Sequence, residues 1–162
     1  MSAVLKDATS PALDWQAMTV TDLDAVLAIE QQGYSHPWTR GNFIDSIAAG
    51  HWAWCGRLDG TVRAYWLAMA VLDEVHLLNV AVARDHWGQG LGEQAMSHLA
   101  ACARSHGAAQ IWLEVRPSNE RALALYGRLG YVSVGLRRGY YPAAQSRRED
   151  ACVLRLELGA AP

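Results

Sequence analysis

Asn79-Val80-Ala81-Val82-Ala83-Arg84-Asp85-His86-Trp87-Gly88-Gln89-Gly90-Leu91-Gly92 is the stretch whose reading decides the fold. It opens within a short apolar run, 77–82, whose β-branched pair Val80 and Val82 suits a buried strand. Gly88, Gly90 and Gly92 then fall at alternate positions, leaving backbone with few side chains in the way. Beyond them Leu91, Ala95, Leu99 and Cys102 recur on one face of a helix. Strand, glycine turn, helix start: this order presents N–H groups and a positive dipole end to an anion, and pyrophosphate is the guest it suits. The spacing is neither the G-x-G-x-x-G of dinucleotide folds nor a P-loop, which needs Gly-Lys-Ser/Thr. Taken alone, the glycines describe a flexible structural turn equally well.

Working outward, residues 1–14 form a flexible leader whose end is marked by Ser10-Pro11. A first strand is expected over 15–20. A helix follows over 21–32, capped by Thr21, striped with Leu23, Val26 and Leu27, and stopped by Gly33. Pro37 interrupts, and Thr39 caps a second helix carrying Phe43, Ile44 and Ile47. Apolar segments at 52–58 and 61–71 meet at Asp59-Gly60, a hairpin signal, and a break at Leu72-Asp73-Glu74 leads into a strand over 75–82. After the glycine helix, which ends at Gly107, come a strand at 111–115 and a helix with Ala122, Leu125, Tyr126 and Leu129 on one face, ended by Gly130. Strands at 131–138 and 151–158 close the chain, joined by a long loop that holds Tyr140-Tyr141-Pro142. The pattern predicts an α/β protein: a central mixed sheet of six to seven strands with about four helices on its two faces. The strands flanking the glycine helix should be parallel, joined by a right-handed crossover.

Composition narrows the function classes. The 162 residues suit one domain with one core, placed at 15–162. A hydrophobic share of 51% with 19% charged residues is that of a globular protein, and a net charge of −2 gives no general pull toward nucleic acid. Three cysteines without close spacing argue against a disulfide framework and for reduced, mostly buried thiols in a cytoplasmic protein. No apolar run reaches the roughly 18 residues of a membrane span, and no signal-peptide core opens the chain. The six histidines are scattered, without H-E-x-x-H or paired cysteines, so no metal is expected.

With that order in hand the chain resembles the GNAT superfamily of acetyl-CoA-dependent N-acetyltransferases. Within it the chain is most similar to the RimI group, which acetylates the N-terminal alanine of a small-subunit ribosomal protein. The likeness is carried by Pro37-Trp38, Val71-Leu72-Asp73-Glu74, Asn79-Val80-Ala81-Val82, Gly90-Leu91-Gly92 and Trp112-Leu113-Glu114-Val115-Arg116. It continues through Ser118-Asn119, Ala124-Leu125-Tyr126, Leu129-Gly130-Tyr131, Arg137-Arg138-Gly139-Tyr140-Tyr141-Pro142 and Glu149-Asp150-Ala151. The resemblance implies the GNAT fold, acetyl-CoA as co-substrate and coenzyme A as product, a ribosomal-protein terminus as acceptor, and no metal. One position departs: Trp87 stands where the superfamily's acetyl-CoA motif usually opens with Gln or Arg.

Acetyl transfer to an amine needs a base for the ammonium, a held thioester, oxyanion stabilisation and a proton for the departing thiolate. Glu114 is the candidate base: it is a lone carboxylate in the apolar strand Ile111-Trp112-Leu113-Glu114-Val115, and it matches the family's glutamate. The competing assignment is a glutamate that merely faces solvent. Tyr126 is the candidate acid, a role the resemblance implies; on its apolar helix face it also suits the core. The backbone of Val80, Ala81 and Val82 would take the pantetheine arm as an added strand. Gly88, Gln89, Gly90, Leu91, Gly92 and Glu93 would take the phosphates. Asn119 either binds cofactor, as the family's asparagine does, or caps its helix; the two are compatible. Trp38, Asp73, Glu74, Tyr140 and Tyr141 are the candidate acceptor wall, the carboxylates suiting a peptide's arginines. The expectation is a monomeric, cytoplasmic enzyme that acetylates a protein N-terminus. The alternatives are a lysine or small-molecule acetyltransferase, or a non-catalytic acyl-CoA-binding module, and the presence of both Glu114 and Tyr126 speaks against the last.

Overall fold

Strands and helices follow in the order read from the sequence. The structure, a computed structural model, describes residues 10–159. Its elements are β1 (Asp14–Ala17), α1 (Leu23–Gly33), α2 (Arg40–Ala48), β2 (Trp52–Leu58), β3 (Thr61–Val71), β4 (Glu74–Val82), α3 (Leu91–His106), β5 (Gln110–Val115), α4 (Glu120–Arg128), β6 (Val132–Pro142) and β7 (Arg148–Glu157). The seven strands hydrogen-bond in the order β1-β2-β3-β4-β5-β7-β6. β4 and β5 are parallel, as expected from the crossover; β1–β2, β2–β3, β5–β7 and β6–β7 are antiparallel. The chain packs as two compact units. Among the described residues, one is 10–68 with Asn79–His98; the other is Met69–Leu78 with 99–159.

In the first unit α1 buries Leu23, Val26 and Ile29, α2 buries Phe43, and β3 is buried continuously from Ala64 to Ala68. Ile44, expected on the inward stripe of α2, is exposed. Thr39 caps α2 as read, its hydroxyl accepting from Asn42 N at 3.2 Å. The start of the first helix differs. Thr19, not Thr21, opens it through a short 3-10 turn, its N–H donating to the Asp22 carboxylate at 2.9 Å. Gly33 is not a left-handed stop either: it is the last residue of α1, and extended Tyr34 turns the chain away.

β1 is anchored by aromatic packing. Trp15 pairs across from Gly56, where a Cβ would stand 2.9 Å from the indole, so the ring lies directly on the β2 backbone. The ring stacks on His98 of α3 with centroids 4.7 Å apart, and His98 also meets Trp54 edge-on and accepts from Trp66 Nε1 at 3.1 Å. Burial in this cage depresses the His98 pKa. Part of the expected leader is tied to the same helix: Leu13 N donates to Gln94 Oε1 at 2.9 Å, and Gln94 Nε2 donates to Pro11 O at 2.6 Å. The remainder of that leader, residues 1–9, lies outside the described residues.

In the second unit β5 alternates, with Ile111, Leu113 and Val115 buried and the residues between them half-buried. α3 and α4 end in the same motif. Gly107 (φ +85) and Gly130 (φ +95) are left-handed, and the next N–H closes back on the helix, Ala108 to Ala103 O and Tyr131 to Tyr126 O, both at 3.0 Å. Tyr140, Tyr141 and Pro142 are not loop residues as expected. β6 continues through them, paired as Tyr141↔Glu149 and Pro142↔Arg148. A register shift between Arg137 and Tyr141 makes this continuation possible, with Gly139 N donating to Asp150 Oδ1 at 2.9 Å. Proline is tolerated because β6 is an edge strand with no further neighbour to receive an N–H. Its Val132, Val134 and Leu136 are exposed. The cysteines are free; Cys55 is buried, whereas Cys102 and Cys152 are only half-buried.

Candidate active site

The first unit holds the glycine turn and the strand before it. Gly88 (φ +82) and Gly90 (φ +80) are both left-handed, and an added Cβ at either would meet nothing within 4 Å, so the space before this turn is open. The first helical bond runs from Gln94 N to Gly90 O at 3.1 Å. The N–H groups of Leu91, Gly92 and Glu93 therefore precede the intrahelical ladder and belong to the donor set that helix starts offer to anions. Gln89 and Glu93 are exposed beside it. Glu93 also borders a shallow pocket of about 520 Å³ with Trp15, Gln94, Ser97 and His98.

Immediately after β4, Ala83 N donates to Arg63 O of β3 at 2.7 Å, so strand alternation turns the backbone groups of Val80 and Val82 to the opposite edge. Side chains reach both carbonyls there. The Tyr34 phenol donates to Val80 O, and Trp87 Nε1 donates to Val82 O at 2.8 Å. Trp87, the departure from the family pattern, thus fastens the turn to the strand, with the Arg84 guanidinium over its ring. With the carbonyls engaged, the N–H groups of this edge are the ones suited to an acyl-carrying arm. Donors along the side of β4 that has no registered partner beyond His76, left-handed glycines and a helix start together fit a pantetheine arm ending in phosphates. Trp38 is half-buried in this unit, packed on Phe43 with centroids 5.1 Å apart.

The second unit gathers Glu114, Arg137, Tyr140 and Tyr141. Glu114 lies on the half-buried face of β5, and its Oε1 accepts from Arg137 Nη1 at 2.8 Å. The carboxylate is 28% exposed and its arginine 54%, so this is a partly screened pair that can exchange partners. Arg137 also lies over the Tyr140 ring at 4.2 Å. The Tyr140 phenol is raised above its ordinary pKa by burial and by hydrogen bonding to Glu114. Tyr141 is raised too, by burial first and then by the Glu114 charge, and its ring carries the Arg116 guanidinium at 4.5 Å. Arg116 in turn bonds Glu149, which also holds Ser118 through its N–H and hydroxyl, each at 3.0 Å. Tyr126 is buried on α4 against Tyr131, and burial pushes its phenol up to about 12.

Other candidates are placed less directly. Asn119 caps α4, accepting from Ala122 N at 3.2 Å. Glu74 is held by His76 at 2.8 Å, and His76 stacks on Trp112. Asp73 is exposed in the β3–β4 turn, where its carbonyl takes Ala109 N at 2.7 Å. The sequence reading missed Arg137 as the partner of Glu114, Tyr34 as the donor to Val80, and the buried carboxylate of Glu30. An arginine two residues before Gly139 carries no local signal of its partner on another strand.

These features define the class. The chain belongs to the acetyltransferase (GNAT) family, whose model matches residues 23–131, and it is an acetyl-CoA-dependent N-acetyltransferase. It is similar to the ribosomal protein bS18-alanine N-acetyltransferase of Escherichia coli (strain K12): 37% identical over 142 residues, covering 88% of this chain and 95% of that protein. The crystal structure of the ribosomal-protein-S18-alanine N-acetyltransferase from Escherichia coli superposes with a TM-score of 0.85 at 35% identity, over 93% of this chain and 96% of that one. A likeness of fold extends to yncA from Salmonella typhimurium, solved with its cofactor acetyl-CoA, with a TM-score of 0.75 at 19% identity over 93% of this chain and 97% of that one. Among the described residues no helix is long and apolar enough to cross a membrane.

Proposed function

We propose that this protein acetylates the N-terminal alanine of ribosomal protein bS18 in the cytoplasm, acting as a monomer through one catalytic domain over 15–162. The observation that carries this reading is the near full-length match to an enzyme named for that activity, at 37% identity. The chemistry of the chain's own residues agrees with it. An α-amine has a pKa of about 7.7–8.0, so about a tenth is neutral at pH 7, whereas a lysine near 10.4 is neutral in well under a thousandth. A terminal amine needs only modest help from a base, and a half-buried carboxylate suits that task.

In this reading acetyl-CoA supplies an acetyl group activated as a thioester. The N–H groups of Val80 and Val82, with Ala81 between them, hold the acyl-bearing arm. Gly88–Gly92 and the helix start at Leu91 to Glu93 hold the phosphates, and Asn119 contributes from the α4 cap. Glu114 takes the amine proton, releasing its hydrogen bond from Arg137 as it does so. Tyr126, held protonated by burial, donates a hydrogen bond to the leaving sulfur. Its pKa of about 12 lies well above that of a thiol near 8.5, so it stabilises the thiolate without surrendering the proton completely. Trp38, Asp73, Glu74, Tyr140 and Tyr141 line the acceptor's approach.

The reading is tested by incubating the protein with labelled acetyl-CoA and two peptides: one with the bS18 N-terminal sequence, and the same peptide blocked at its terminus but bearing lysine. Label on the free-terminus peptide alone is the expected result. Label confined to the lysine peptide overturns the assignment.

A further inference from the structure

Among the described residues Glu30 is the one buried carboxylate, 1% exposed, and the proposed reaction does not use it. It lies near the end of α1, three residues before Gly33, and three neutral donors converge on it. Oε1 accepts from the Tyr65 phenol of β3 and from Asn79 Nδ2 of β4 at 2.8 Å, and Oε2 accepts from the backbone N–H of Trp38 at 2.8 Å. Burial, and then the carboxylate beside it, hold the Tyr65 phenol far above its ordinary pKa, so the hydroxyl is a fixed donor. Asn79 is itself buried and immediately precedes Val80. A carboxylate this deep is costly unless it is hydrogen-bonded, and here both oxygens are engaged, by three donors in all.

The geometry points to Glu30 as a positioning residue: its two oxygens hold the Trp38 loop and the outgoing half of β4 in one fixed register. Two neighbours of Glu30 on the same stretch repeat the connection. Tyr34 donates to Val80 O, and Gln32 takes both the N–H of Arg84 at 3.1 Å and its guanidinium. The end of α1 is therefore bonded at Asn79, Val80 and Arg84, on either side of and within the strand segment Val80–Val82 assigned to the cofactor. Glu30 alone also bonds Trp38, assigned to the acceptor. A backbone N–H can only donate, so when the carboxylate is lost the Trp38 N–H is left to exchanging water in place of a fixed acceptor, whereas β4 keeps the bond from Tyr34. Losing Glu30 should loosen the acceptor side and spare the cofactor side. The kinetic part of this inference rests on the proposed roles of Trp38 and Val80–Val82; the structural part does not.

The test uses the full chain in a Tyr65→Phe background, so that Glu30→Met leaves no orphaned phenol inside the core. Peptide and acetyl-CoA KM are measured with the bS18 N-terminal peptide, and amide hydrogen exchange is followed at Trp38. The expected result is a peptide KM raised about tenfold in Tyr65→Phe/Glu30→Met relative to Tyr65→Phe, the size set by one lost buried hydrogen bond. The acetyl-CoA KM should stay within about twofold and Trp38 exchange should quicken at least about tenfold. If the double variant does not fold, Glu30→Gln in the same background replaces it: one oxygen must then serve two donors, and the same split is expected. Equal rises in both KM values, or unchanged Trp38 exchange in a folded variant, overturn the inference. Should the unmodified protein fail to acetylate the peptide, the function proposal falls, and Trp38 exchange alone then decides the role of Glu30.

Discussion

At the scale of the residue, the placement of Glu114 was the most legible in the sequence. A single carboxylate among Ile111, Trp112, Leu113 and Val115 has no packing reason to be there, and the strand's alternation places it on the half-buried face. Glu114→Gln keeps the shape and removes the proposed base, so turnover should fall about a hundredfold or more while coenzyme A affinity, measured by calorimetry, is unchanged. Wild-type turnover in the variant would remove Glu114 from the mechanism. Tyr126 makes a separate prediction through pH. Folding raises its pKa from 10 to about 12 by burial. Below pH 10 the folded and unfolded chains both keep the proton, and the stabilisation is complete; between 10 and 12 only the folded chain keeps it, so stability drains away as pH rises through that window. Two units correspond to about 3 kcal/mol. Tyr126→Phe should flatten the alkaline decline of the melting temperature, and parallel curves for the two proteins would count against the burial argument. Glu30 was illegible by contrast. In Ile29-Glu30-Gln31-Gln32 it reads as one more polar residue at a helix end, and only the fold reveals Tyr65, Asn79 and Trp38 around it.

At the scale of elements, the sequence predicted type and order through glycines and periodicity, and missed where pairing between distant strands decides the boundary. β6 outruns its apolar alternation because Glu149 and Arg148 supply partners for Tyr141 and Pro142, which no local pattern announces. The cap of the first helix falls two residues early, at Thr19, whose reciprocal partner is Asp22; Thr21 has Asp24 at the same spacing, but that carboxylate is turned to Arg40 instead. Glycine turns allow a paired prediction. Gly90→Ala and Gly107→Ala each force a side chain into a left-handed backbone, at a cost of about 1–2 kcal/mol. Both should lower the melting temperature by similar amounts. Only Gly90→Ala should raise the acetyl-CoA KM, severalfold, because only that turn carries the proposed phosphate donors. A matching rise in Gly107→Ala would mean that general loosening, not the turn, governs cofactor binding.

For the molecule as a whole, charge and aromatic anchoring set the expectations. With a net charge of −2 the chain lacks the field that gathers phosphate backbones, so it should show no measurable RNA binding even near 50 mM salt in a gel-shift assay. Retarded RNA that is released by added salt would contradict this. Besides its ladder with β2, β1 is held by the close approach of Trp15 to Gly56. Gly56→Ala should push the indole off His98 and cost about 1–3 kcal/mol, read as a lower melting temperature. The outermost strand of the second unit has a different consequence. Val132, Val134 and Leu136 lie open to water on a ribbon with one unsatisfied side, the kind of rail onto which a stray chain can zip. The two register slips and the adjoining Arg137-Arg138 guard it by breaking flatness and adding repulsion. Neutralising those two arginines should therefore make concentrated solutions cloud on standing, long before any loss of folding is seen.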